Sequence, residues 1–99
     1  MPTKVQVTAA DNELYILAFQ WNGSSELLHI KSGNGDPVST SFNLESVLPK
    51  GTWVLTLIGI NWGGPWNFKV KIGAFPLYSG SGNGPVGDVW RQNTPAVTI

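Results

Sequence analysis

Residues 52–72 read TWVLTLIGINWGGPWNFKVKI, and the fold of the chain turns on how this stretch is understood. Trp66, Phe68, Val70 and Ile72 alternate with Asn67, Lys69 and Lys71, the period of two that gives a strand one dry face and one wet face. The residues before them are apolar on both sides. Trp53, Leu55 and Leu57 share one face, and Val54, Ile58 and Ile60 the other, with Thr56 the single polar break. A strand of that kind has to be covered twice. Between the two runs, Asn61-Trp62-Gly63-Gly64-Pro65-Trp66-Asn67 reads as a tight loop joining them as neighbours.

Outward from this centre the same signal recurs. Lys4 to Thr8 alternates and reads as a half-exposed strand. Asp11-Asn12 suits a turn. Glu13 to Trp21 places Tyr15, Leu17, Phe19 and Trp21 on one face and Leu14, Ile16 and Ala18 on the other. Its β-branched and aromatic content favours strand over helix. Asn22-Gly23-Ser24-Ser25 reads as a hairpin turn, Leu27 to Lys31 as a short strand, and Ser32 to Pro37 as a loop. Phe42 and Leu44 mark a further strand and Leu48 to Gly51 a turn. Tyr78 to Pro85 is expected to be the longest structureless run. Val86–Arg91 and Ala96–Ile99 close the chain as two short strands, with Pro95 at a strand start or edge.

No stretch of ten residues shows a helical period. The expectation is one all-β domain over residues 1–99, an antiparallel two-sheet β-sandwich of jelly-roll or Greek-key type. A shift of 49 places superimposes Thr3 on Thr52, Val5 on Val54, Asn12 on Asn61, Phe19 on Phe68 and Leu28 on Leu77. It also lays Ser32-Gly33-Asn34-Gly35 on Ser81-Gly82-Asn83-Gly84. That echo suits two pseudo-repeated halves of about four strands each.

Composition narrows the function. Charged residues make up 12% of the 99, against about 25% in ordinary domains, and six acids balance six bases. No long-range field draws nucleic acid to such a surface. There is no cysteine, so neither disulfides nor thiolate metal sites arise. The first residues, MPTKVQVTAADNE, lack a basic and then apolar leader, and no window approaches the ~18 apolar residues of a spanning helix. A cytoplasmic chain, or one exported without a cleaved signal, is the expectation.

Catalysis finds little support. His29 is the single histidine and falls on the wet side of a strand, and no nucleophile–base motif accompanies it. The carboxylates have no paired spacing. No cofactor is expected. Calcium is the one ion weighed, at Asp11-Asn12-Glu13 or Asp36, and solvated turn residues are the better reading there. The chain is therefore expected not to be an enzyme.

What remains is aromatic and amide-rich. An indole offers a flat apolar face, and an amide offers a donor and an acceptor, the two things a sugar's C–H faces and hydroxyls require. Two sites follow: Trp62 with Asn61 and Asn67, and Trp90 with Asp88, Arg91 and Asn93. The plain alternative is that these tryptophans plug the sandwich ends, with Trp21, Trp53 and Trp66 in the core. The leading reading is a lectin-like module for neutral glycans. Its rival is an interaction subunit or small membrane-active effector. The outward apolar residues Val54, Ile58, Ile60, Leu14 and Ile16 favour a homo-oligomer, most simply a dimer.

Overall fold

The computed structural model describes residues 4–21, 23–33 and 35–99; the readings at Thr3, Asn22 and Asn34 lie outside them. The elements are β1 (Lys4–Ala10), β2 (Glu13–Gln20), β3 (Gly23–Lys31), β4 (Thr40–Asn43), the helical turn α1 (Leu44–Val47), β5 (Thr52–Asn61), β6 (Pro65–Ile72), β7 (Phe75–Asn83), β8 (Gly87–Asn93) and β9 (Val97–Thr98). Two antiparallel sheets pack together. One has the order β4-β1-β6-β7, the other β3-β2-β5-β8, and β9 pairs with the start of β5.

The pivotal stretch divides differently from its first reading. β5 and β6 are not hairpin partners. β5 lies between β2 and β8 in one sheet, while β6 lies between β1 and β7 in the other. Residues 62–64 are thus a corner between layers. Each of the two strands puts its alternate apolar side chains into the same core, from opposite layers. Trp53, Leu55 and Leu57 from β5 and Phe68, Val70 and Ile72 from β6 all meet there.

β2 is turned over relative to expectation. Leu14, Ile16 and Ala18 are fully buried, and Tyr15, Leu17 and Phe19 face outward. Leu14 and Ile16 therefore leave the set of outward apolar residues; Val54, Ile58 and Ile60 remain in it, half-buried. Trp21, expected in the core, sits at the β2–β3 turn and is 94% exposed. Leu44 is buried, but in α1 and not in a strand.

The glycine-rich run 79–84 is not structureless. Most of it belongs to β7, whose Gly80 and Gly82 stand opposite Phe68 and Trp66 of β6. A β-carbon on Gly82 would lie 2.7 Å from the Trp66 ring, and one on Gly80 2.5 Å from the Tyr78 hydroxyl. Aromatic side chains lie over the strand and leave its backbone room for hydrogen alone. Gly59 does the same for Trp90, whose Nε1 would be 1.9 Å from an added β-carbon. The closeness of the packing, not loop flexibility, explains these glycines.

Candidate functional site

The two inter-sheet corners meet at one end of the sandwich and are built around buried asparagines. Asn12, at the β1–β2 corner, donates from Nδ2 to the Ser32 carbonyl (3.1 Å) and accepts at Oδ1 from the Trp62 backbone N–H (2.8 Å). Its own N–H donates to the Ile60 carbonyl (2.9 Å). Asn61, at the β5–β6 corner, donates to the Gly64 and Pro85 carbonyls (3.0 and 3.2 Å) and accepts from the Gly63 N–H (3.2 Å). Buried polar groups persist only when paired, and these amides pair loop backbone that no ladder reaches. Asn61 is fully buried, so its amide serves the fold.

This scaffold fixes where Trp62 emerges. The indole is 50% exposed, and its Nε1–H donates to Glu13 Oε1 (2.9 Å). Glu13 opens β2, and the β2–β3 register sets it opposite Lys31 and Tyr15 opposite His29, all on the outer face. The other Glu13 oxygen accepts from His29 Nε2 (2.7 Å) and the Tyr15 hydroxyl (3.3 Å). The Tyr15 and His29 rings stack at 4.1 Å, 12° apart, and Lys31 Nζ lies 5.6 Å from the Trp62 ring centroid.

The His29 hydrogen bond holds the Glu13 carboxyl below the usual carboxylate range. Shielding from water opposes this, while the Trp62 hydrogen bond and the Lys31 charge assist it. Tyr15 is pushed up, chiefly by its own shielding and then by the Glu13 charge beside it. Because the indole N–H is committed to Glu13, Trp62 offers its ring face and not a free donor. Direct polar contacts at this spot come from His29, Lys31 and the remaining lone pairs of Glu13.

The other residues singled out in the sequence lie apart. Asn67 lines a shallow depression with Asp11, Gly35, Pro65 and Trp66. Trp90 is a core residue: it stacks on Tyr78 at 3.7 Å, meets Phe68 edge-on at 5.3 Å, and is 9% exposed. Asp88, Arg91 and Asn93 are exposed on β8. Arg91 and Asp88 pair at 3.6 Å, and Asn93 accepts from the Thr56 hydroxyl at 2.7 Å. These three do not surround an open ring.

Glu13, Tyr15, His29 and Lys31 were missed as a group. Their parity along two strands was visible, yet their meeting depends on the β2–β3 register and on a corner 49 residues further along the chain. Among the described residues no three histidine, aspartate or glutamate side chains converge as a metal set. No family model matches the chain, and neither the curated proteins nor the solved structures contain a match.

The lowered Glu13 pKa fixes the sign of a pH response. A carboxyl depressed on folding contributes stability that is present above its unfolded value and lost as pH falls through the folded one. Thermal melts should therefore lose stability as pH drops below the usual carboxylate range. Glu13→Gln should remove that component, and an identical acid profile in the variant would place the effect elsewhere.

Proposed function

We propose that the chain is a non-catalytic carbohydrate-binding module for neutral sugars, with the ligand seated on Trp62. The observation that supports it is a half-exposed indole held in place by its own N–H on Glu13. Pinning a flat apolar surface before the ligand arrives reduces the ordering cost of binding. Imidazole, ammonium and carboxylate groups at its margin supply donors and acceptors for hydroxyls. Neutral overall charge and a surface rich in serine, threonine and asparagine fit an uncharged polar ligand better than a polyanion. Asp88, Arg91 and Asn93 stay outside this reading, because the ring expected to anchor them is in the core.

A second reading, an interaction subunit, is favoured by the contrast between the two outer faces. That of β4-β1-β6-β7 presents Gln6, Thr8, Lys69, Lys71, Ser79 and Ser81; that of β3-β2-β5-β8 presents Tyr15, Leu17, Phe19, Val54, Ile58 and Ile60. The occupant we assign to the apolar face is a second copy of the chain. Its β3 edge carries Glu26 and Lys31, and its β8 edge Asp88 and Arg91. A two-fold axis along the strands, between β2 and β5, sets Lys31 of one copy opposite Asp88 of the other.

We also infer that the sandwich is Greek-key-like and made of two related halves. Exchanging β1–β4 for β5–β8 turns the order 4-1-6-7 into 8-5-2-3, the order of the second sheet read backwards. The 49-residue offset carries Asn12 onto Asn61, each at an inter-sheet corner.

Three outcomes are expected. Monosaccharides should perturb tryptophan fluorescence, and Trp62→Ala should weaken that binding by about tenfold or more, a loss near 1.4 kcal/mol; a silent sugar panel with the wild type rejects the carbohydrate reading. Light scattering should give twice the mass of 10.7 kDa, reverting to one copy with Ile58→Lys; a wild-type monomer at tens of micromolar removes the dimer. In urea melts, Asn12→Ala and Asn61→Ala should each cost about 1–3 kcal/mol, because each strands backbone partners. A large disparity between them would count against equivalent corners.

A further inference from the structure

The end of the sandwich opposite Trp62 carries a surface that the sugar-binding reading does not use. There the β2–β3 turn, α1 and the β6–β7 turn all lie at the same end of the strands. They carry Trp21, Val47 and Phe75, which are 94, 46 and 64% exposed. Phe19, at 41%, lies just above Trp21. An indole left almost wholly in water contributes nothing to the core, and three separate connections place apolar side chains at this one end. Beside Phe75 an apolar cleft of about 230 Å³ opens between the layers, lined by Ile72, Leu77, Pro95, Ala96 and Val97.

Charge is divided along the same axis, although the chain is neutral overall. The register puts Lys4 beside Asn43 and Lys71 beside Pro76, and Lys50 lies in the turn before β5, so three lysines border the apolar tips. Glu45 on α1 is the acid among them. Around Trp62 the balance reverses: Asp11, Glu13, Asp36 and Asp88 stand against Lys31 and against Arg91, which pairs with Asp88.

We propose that the end bearing Trp21, Val47 and Phe75 docks the protein onto an anionic lipid surface. Tryptophan and phenylalanine favour the interfacial zone of a bilayer, and lysines beside them meet the headgroup charge. Long lysine side chains reach that charge while their carbon stems stay against apolar surface. The acidic end is repelled by the same surface, so the sandwich stands end-on with Trp62 pointing away into solvent. The contact proposed is through the apolar tips alone; no helix among the described residues is long and apolar enough to cross a membrane. The proposal does not rest on the carbohydrate reading, and either can fail alone.

The test is co-sedimentation of the full chain with phosphatidylcholine vesicles, with and without phosphatidylserine, at low and high salt. Binding is expected to the phosphatidylserine vesicles and to weaken as salt screens the lysines. Trp21→Ala with Phe75→Ala should lower the partition by about tenfold or more. Lys50→Glu should lower it by at least about fivefold, and only on anionic vesicles. Val86→Ala, an equally open apolar side chain at the other end (71% exposed), should bind as the wild type does. These substitutions sit on the surface, and unchanged melting temperatures will show that the variants remain folded. Absence of binding to either vesicle overturns the proposal and leaves the tips to a protein partner. Undiminished binding by the Trp21/Phe75 double variant, or equal binding to neutral and anionic vesicles, overturns it as well.

Discussion

The structure depends on two buried asparagines where the chain changes layers. A sandwich places its ladders within sheets, so every crossing between sheets leaves backbone N–H and C=O groups without ladder partners. Asn12 and Asn61 satisfy those groups at two crossings that touch each other, through the Asn12–Trp62 backbone bond. Joining the corners locks the two sheets in one relative position. It also links residues 12 and 62 across the length of the chain, so the site is an outgrowth of the same constraint.

The placement of Trp62 and Glu13 at that end follows from the locked corner. Trp62 is the residue after Asn61, so it leaves the core with its backbone already held, and Glu13, the residue after Asn12, is within reach of its ring nitrogen. Strand alternation then adds Tyr15, and the β2–β3 ladder adds His29 and Lys31. The result is an aromatic surface bordered by ionisable groups. At the far end the apolar tips of the connections lie open. The molecule thus differs between its two ends, one acidic around Trp62 and the other basic and apolar.

Packing inside the sandwich uses unequal strands. β7 is thin, with Gly80 and Gly82, because the aromatic rings of Trp66 and Tyr78 lie across it. Gly59 makes the same allowance on β5 for Trp90, which fills the core between Phe68 and Tyr78. Bulky rings on one strand and bare backbone on the next interdigitate to the density a protein interior needs.

The residue pattern alone determined the class: alternation in β1 and β6, apolar residues on both faces of β2 and β5, the lack of a helical period, and one core on a neutral surface. Those follow from local rules, because side-chain parity is a property of a single strand. It also marked Trp62 as a candidate binding indole. What only the tertiary structure decided is which strands are neighbours, which face of β2 turns inward, and which tryptophans are covered. β5 and β6 look like a hairpin because a short loop joins them, yet a corner and a hairpin have the same sequence signature. Trp21 and Trp90 exchanged their expected places, core for surface, because burial depends on what lies across the sandwich. The Glu13–His29–Trp62 cluster was illegible for the same reason. Its members come from three elements, and only the register and the Asn12–Asn61 junction bring them within hydrogen-bonding distance.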